Sequence, residues 1–492
     1  SAASDVYKRQ VMYSKDNIDE KLVLCLKNTS EIDNGKVKSY DSERGLLHAF
    51  FKHMHVFQPD IISGYNSNGF DIPYLLDRAF HLGLQQYLMF SKLKNVPIKY
   101  WKQRFQSQQA GTVESTHFYM PGLVTMDIFE IIKSSMKLRS YTLNNVSIEV
   151  LKNQKKEDLA YSDIPTLQNG TADDRAIIAK YCMQDTLLVS ALIEKRMLLV
   201  NSTEMSKMLG TSLHETLTKG QGYKILRKIL EYTIRDGYFI PTLKNQNGAK
   251  HVPIYERIYS ENPKREYFDS EGKLQFQGAF VLDPIKGMHD KPVATLDFAS
   301  LYPSIMRFWN LCPTTILRSE EDARSRNLSK DEYTVMSSGF VFVHKNKYQG
   351  LLPKIETELH ALRKNAKKEM SDARLNGNLM EASVYDGKQL AIKVIMNSIY
   401  GFCGSKTSPI PCLAVAVSIT SRGRQDIIQS KDWVENNFGN TFMKNSGKAE
   451  VVYGDTDSIM IKFHGAANVA EAMSFAKECE KRINDVNHTQ TP

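Results

Sequence analysis

Asp455 and Asp457 stand two residues apart in EVVYGDTDSIMIKF (Glu450–Phe463), between two apolar runs: Val451 and Val452 lead in, and Ile459, Met460 and Ile461 lead out. The pattern reads as a β-hairpin with Gly454–Asp457 as its turn. Carboxylates fixed on such a turn suit a divalent cation that holds phosphates, because Mg²⁺ takes hard oxygen ligands and usually keeps only one or two protein carboxylates. A surface turn explains Asp and Gly there equally well. The hairpin therefore needs a second acid.

Asp297 supplies one. Val293–Leu296 (VATL) is a short apolar run suited to a buried strand, and it ends in Asp297 before FASLYPSIM. If that strand and the hairpin share a sheet, the acids converge on the clamp for in-line phosphoryl transfer, whose two metals lie about 3.5–4 Å apart. The alternative is an N-cap on the following turn.

Two helices supply positive charge. Leu352, Ile355, Leu359, Leu362, Ala366 and Met370 recur at steps of three and four, the mark of an amphipathic helix. Arg363 and Lys367, four apart, share its polar side. After the breaker LNGN (Leu375–Asn378), a second helix sets Lys393, Asn397 and Tyr400 at i, i+4 and i+7. Cations on neighbouring helices grip a triphosphate, Arg through a planar fork and Lys as a point charge. Lys364 and Lys368 read as ordinary solvated charge, whereas Lys393 lies in the mostly apolar stretch Leu390–Tyr400.

DFASLYPSIM, KVIMNSIYGF and YGDTDS, in this order, resemble the three polymerase motifs of the family B DNA polymerases, in the branch of eukaryotes and large DNA viruses. GAFVLDPIKGMHDKPVATLDFASLYPSIM, LLPKIETELHALRKNAKKEM and KLRSYTLNNVS extend the likeness beyond the core letters, over nearly the whole chain. The resemblance implies that Asp297 and Asp455 hold two catalytic Mg²⁺ ions with Asp457 beside them. Tyr302 would stack under the incoming sugar and block a 2′-hydroxyl, the group that separates RNA from DNA. Arg363, Lys367 and Lys393 would bind the triphosphate with Asn397 in support, and Tyr400 and Gly401 would face the nascent base pair. The implied reaction is addition of dNTPs to a primer 3′-OH on a DNA template, by positioning and charge neutralisation.

A second resemblance lies in the first third. DIISGYNSNGFDIPYLLDR (Asp60–Arg78) and YCMQD (Tyr181–Asp185) resemble the second and third motifs of the family's 3′–5′ proofreading exonuclease. They imply Asp71 and Asp185 as ligands of two further Mg²⁺ ions and Tyr181 as the group orienting the attacking water. Asp71 ahead of Pro73 is also an ordinary helix start. The family's first exonuclease motif is an Asp-x-Glu on the leading strand. Asp33, Asp41 and Glu43 are candidates for it by composition alone, and none follows an apolar run. The expectation is an exonuclease truncated at its first motif and unable to proofread.

The elements that must position these residues define a mixed α/β, multidomain fold. It comprises an RNase-H-like exonuclease domain plus the palm and fingers of a right-hand polymerase, with the thumb absent. The expected divisions are a non-native leader at 1–10, a partial exonuclease at 11–200, a connecting region at 201–277, a first palm part at 278–350, helical fingers at 351–403 and an incomplete second palm part at 404–492. Polar or Gly/Asn-rich boundaries fall at 152–175, 244–250, 262–273 and 375–378. Insertion of the fingers into an antiparallel palm sheet is what lets Asp297 and Asp455 meet.

The 492 residues exceed the size at which single cores stop growing. A net charge of +9 fits a polyanion partner. Cys25, Cys182, Cys312, Cys403, Cys412 and Cys479 form no C-x-x-C pair, which speaks against a zinc site or a disulfide framework. Neither a signal peptide nor a run of about 18 apolar residues appears. The expected partners are primer–template DNA and dNTPs, with accessory subunits and a sliding clamp in the full-length parent and no membrane. The location is the nucleus for a cellular protein, or the nucleus or cytoplasmic replication site of the host for a viral one. Two other functions compete: a catalytically silent polymerase-like DNA-binding subunit, which would have lost one of Asp297, Asp455, Lys393 or Tyr302, and a free-standing nuclease. This stretch alone is expected to be weak or inactive.

Overall fold

A computed structural model of the chain describes residues 8–15, 18–33, 35–93, 95–107, 111–152, 159–240, 278–405, 408–438 and 448–489. The expected boundaries at 244–250 and 262–273 lie outside the described residues, as do the first seven positions of the expected leader. The chain divides into two compact units, residues 1–206 with 211–219, and 207–210 with 220–492.

In the first unit, β1 (Lys8–Lys15) pairs antiparallel with β2 (Ile18–Leu26), and β2 pairs parallel with β3 (Lys36–Tyr40). Alternation along β2 splits its side chains between two cores. Leu22, Leu24 and Leu26 join Leu46, Leu47 and Phe51 of α1 (Glu43–Phe57), while Val23 and Cys25 meet Ala179 and Met183. Ser42 caps α1 by accepting the Gly45 N–H at 3.1 Å. Glu43 holds Arg78 through two hydrogen bonds of 2.8 and 2.6 Å. Asp41 and Glu43, two of the candidates for the first exonuclease motif, thus flank a helix start at Ser42.

The chain continues through β4 (Ile61–Gly64), a π-helical turn at Ser67–Asp71 and α2 (Ile72–His81). A hairpin of β5 (Lys99–Ser107) and β6 (Gly111–Tyr119) follows. β7 (Val124–Asp127) then runs parallel to β4, pairing Ile61 with Val124 and Gly64 with Asp127. The unit's further helices are α3 (Ile128–Ser135), α4 (Leu143–Leu151), α5 (Ile164–Asn169), α6 (Ala172–Lys195), α7 (Leu198–Leu209) and α8 (Leu213–Thr218). The strands of this unit form three separate sheets among the described residues. By length and composition α6 is the one described helix suited to crossing a bilayer. It also carries Asp173, Asp174, Arg175, Lys180 and Asp185 and packs on β1 and β2.

The second unit opens with α9 (Gln221–Asp236) and centres on a fully antiparallel four-stranded sheet. Its order is β8 (Val281–Leu282), β13 (Ala449–Asp455), β14 (Ser458–Phe463) and β9 (Val293–Asp297). On one face Ala294, Val451, Ile459, Ile461 and Phe463 pack on α14 (Leu413–Trp433) and α15 (Val469–Thr489). The opposite face carries the exposed or half-buried Thr295, Asp297, Tyr453, Asp455, Ser458, Met460 and Lys462.

Between β9 and β13 the chain forms α10 (Leu301–Phe308), β10 (Ile316–Leu317), α11 (Glu320–Ser325), β11 (Tyr333–Val335) and β12 (Val341–Val343), then α12 (Leu351–Leu375) and α13 (Leu379–Gly404). The helix predicted after Leu352 forms: Leu352, Ile355, Leu359 and Ala366 are buried and Met370 is half-buried, whereas Leu362 is exposed. Asn376, Gly377 and Asn378 end it, with Gly377 at φ 73° and Asn378 accepting the Glu381 N–H at 3.2 Å. A connection that short folds α13 back along α12.

Asn310 fixes the root of this helical pair. Its side-chain amide donates to the Val343 and Tyr348 carbonyls, both at 2.8 Å, and its Oδ1 accepts the Gly350 N–H at 2.9 Å. It sits at φ 56°, a left-handed conformation that Asn tolerates well.

Candidate active site

Strand register builds the centre. Asp455 pairs with Ser458, and Ser458 pairs on its other side with Asp297. The two acids therefore flank one serine, on the open face, across two strand spacings or about 9–10 Å between Cα atoms. Side chains leaning inward over that gap match two cations about 3.5–4 Å apart with oxygens at about 2.1 Å.

A β-bulge makes this alignment possible. Val451 pairs with Ile461 and Tyr453 with Met460, so Val452 is an extra residue in β13. Both Val451 and Val452 are buried, and the shift turns Tyr453 and Asp455 to the open face. The turn itself sits one position later than the sequence suggests: Gly454 and Asp455 are still in the ladder, and Thr456–Asp457 make the reversal, with Thr456 at φ 58°.

Neither acid caps a helix. Asp297 ends β9, and α10 begins after Ser300, which makes no side-chain cap. Asp457 holds the strand ends together, its carbonyl accepting the Phe298 N–H at 2.7 Å. Burial pushes its carboxyl above the usual range, and Asp297 and Asp455 push it further, while Lys393 opposes them. A carboxylate whose proton affinity is raised by two neighbouring acids belongs to a hard-oxygen donor set suited to a divalent cation. No group of three or more His, Cys, Asp or Glu side chains stands ready to hold a metal among the described residues. Any such ion would rely on substrate phosphates for the rest of its shell, as Mg²⁺ commonly does.

Tyr302 enters on the first turn of α10. Its ring lies 4.6 Å from that of Tyr400 on α13, centroid to centroid, and a Cβ added to Gly423 of α14 would stand 3.2 Å from its edge. Burial raises its phenol above the ordinary range, and Asp457 and Asp455 add to the shift. The structure therefore gathers Asp297, Asp455, Asp457, Tyr302, Tyr400 and Lys393. Arg363 and Lys367 stand on α12, where the Arg363 Nε donates to Gln389 at 3.3 Å, and neither is tied to the aspartates. Asn397 is exposed one turn after Lys393. At Gly401 an added Cβ meets nothing within 4 Å, so nothing in the chain itself requires glycine there.

Gly454 is the opposite case. An added Cβ would stand 2.8 Å from Leu282 and 3.0 Å from the Ser458 carbonyl oxygen. Gly454→Ala should lower stability by about 1–3 kcal/mol in urea unfolding, because strand backbone yields less readily than a side chain. Unchanged stability would mean that β8 does not pack as described.

Of the other sequence-predicted residues, Asp71 ends the π turn without a side-chain cap on α2, which removes the ordinary explanation for it. Tyr181 and Asp185 lie one turn apart on α6. Sequence reasoning missed Asp127. Its buried carboxylate accepts the N–H groups of Asn66, Asn68 and Phe129 at 2.8, 2.9 and 3.0 Å, fastening the turn that leads to Asp71. The signal was present, since Val124–Met126 ends in Asp127 just as Val293–Leu296 ends in Asp297.

Comparison with known proteins follows the same division. The family model "DNA polymerase family B" matches residues 211–491, and "DNA polymerase family B, exonuclease domain" matches residues 3–146. Tyr181 and Asp185 fall between the two. The chain is 38% identical over 465 residues to the DNA polymerase delta catalytic subunit of Dictyostelium discoideum, covering 94% of this chain and 39% of the relative. The subunits of that name from Mesocricetus auratus (38% over 474 residues, 96% and 40%) and Glycine max (37% over 462 residues, 94% and 40%) are similar to it to the same degree. The chain thus spans about two fifths of the length of these relatives.

Proposed function

The chain belongs to the family B DNA polymerases, and from that premise we propose that it carries the nucleotide-adding centre of a DNA-directed DNA polymerase. One observation carries the reading: Asp297 and Asp455 flank Ser458 on the open face of one sheet, within electrostatic reach of Asp457. Asp297 and Asp455 would hold two Mg²⁺ ions, which when bound neutralise the triphosphate and sharpen the attacking primer hydroxyl.

The chain's own residues do the rest. Lys393, with Arg363, Lys367 and Asn397, binds the triphosphate as the helices approach. Tyr400 and Gly401 border the new base pair, and the Tyr302 ring lies under the sugar. In the full-length protein, Asp71, Tyr181 and Asp185 would serve a two-metal 3′–5′ exonuclease, with Asp127 holding the loop that presents Asp71. Primer–template DNA and dNTPs are the substrates, accessory subunits and a sliding clamp the partners. The site of action is the nucleus or, for a viral protein, the host's replication site.

The test is primer extension by the full-length gene product. With Mg²⁺ and dNTPs it should lengthen a primed DNA template, stop on chelation and resume when Mg²⁺ is restored. Absence of extension with Mg²⁺, or extension that survives chelation, would sink the proposal.

A further inference from the structure

Glu356 is fully buried on α12, and neither of its carboxyl oxygens has a hydrogen-bond partner. Such a group is costly to bury. Facing it is Arg307 of α10, half-buried, whose Nη2 donates to the Ser304 hydroxyl at 3.5 Å while its Nε is buried without a partner. An acid and a base on adjacent helices thus lie near one another without a hydrogen bond between them.

Their place is what matters. Glu356, His360, Arg363 and Lys367 recur at steps of four, three and four, one stripe along α12 from its buried root to the cations. Arg307 lies on the same short helix as Tyr302.

We infer that Glu356 and Arg307 are positioning residues, a buried acid–base pair at the root of α12 that sets where its Arg363–Lys367 face stands toward the incoming triphosphate. The inference rests on the polymerase reading given above. When the two groups engage, α12 is drawn against α10 and its cations move with it. When they separate, as in the structure described here, the carboxyl is left among apolar neighbours and holds its proton.

Burial raises the Glu356 carboxyl to about 8, with Arg307 opposing the shift. It is therefore protonated below that pH and ionised above it, and engagement with Arg307 grows as pH rises. Burial lowers His360, and Arg307, Arg363, Lys364 and Lys367 lower it further, so it stays neutral. Burial raises the Cys312 thiol after α10 and the Cys403 thiol of α13, which stay protonated, and Cys412 neighbours Cys403. On α14, Arg422 is paired with Asp426 at 2.8 Å. On the α9 side, Asp236 and Tyr232 bond Lys354 and Glu358 rather than Glu356.

The experiment measures equilibrium binding of a fluorescent 2-aminopurine deoxynucleoside triphosphate to the full-length gene product, with Mg²⁺ and a dideoxy-terminated primer–template, between pH 6 and pH 9. In the parent, affinity should strengthen about tenfold through the upper part of that range, the scale of one charged hydrogen bond. Glu356→Gln and Arg307→Met should each remove the step. The double variant Arg307→Met with Glu356→Leu should fold at least as stably as the parent, since it removes both buried charges, and should also bind without the step. A step that persists in Glu356→Gln overturns the inference, as does a parent that binds equally at all pH values. A parent that binds no nucleotide at all overturns the polymerase reading and this inference with it.

Discussion

Asp455→Asn in the full-length gene product is expected to cut primer extension by about a thousandfold or more while leaving primer–template binding within about twofold. The substitution removes one negative charge and little else. Asp455 is exposed at the end of β13, and its Oδ1 accepts the Thr456 hydroxyl at 2.8 Å, a bond that an asparagine oxygen can keep. Surface exchanges of this kind alter stability by no more than about 0.5 kcal/mol. A metal-binding carboxylate stabilises transition-state charge by several kcal/mol, and each 1.36 kcal/mol is a factor of ten in rate. Single-nucleotide extension under saturating dNTP and anisotropy on labelled DNA separate the two effects. Extension within tenfold of the parent would remove Asp455 from the metal site. Equal loss of extension and DNA binding would mean that the acid shapes the fold instead.

The chemistry-bearing residues were legible because their signals are local. An apolar run ended by an acid marked Asp297 and the hairpin acids, and three-and-four spacing marked α12 and the face that carries Arg363 and Lys367. What stayed hidden depends on pairing. The extra Val452 that turns Asp455 to the open face has no signature beyond two adjacent valines, since a bulge exists only against a partner strand. The same holds for the one-residue displacement of the turn and for Asn310, whose three bonds reach segments far along the chain. Asp127 was missed for another reason: its apolar lead-in resembles that of Asp297, but its carboxylate is spent on backbone N–H groups rather than left open. The meeting of Asp297 with Asp455 came from family resemblance and is explained by the sheet order, in which β14 lies between β13 and β9.

Tyr302 offers the sharpest test of substrate choice. Its ring is held by the Tyr400 ring on one side and by the bare backbone of Gly423 on another, on a helix that starts after Ser300 at φ 56°. A side chain so confined cannot swing aside for a 2′-hydroxyl without displacing Tyr400 or α14, so exclusion of ribose rests on rigid packing. Tyr302→Ala opens the space and should raise the ratio of ATP to dATP incorporation, each as kcat/KM, by about a hundredfold, the most a hydroxyl-sized difference is worth in an apolar pocket. The ratio is taken on one preparation, so partial unfolding from the lost ring cancels. Tyr302→Phe should leave the ratio within about threefold, because the ring edge rather than the phenol oxygen does the excluding. If Tyr302→Phe admitted ribonucleotides as freely as Tyr302→Ala, discrimination would lie in a hydrogen bond of the phenol. If neither did, the ring would not border the sugar at all.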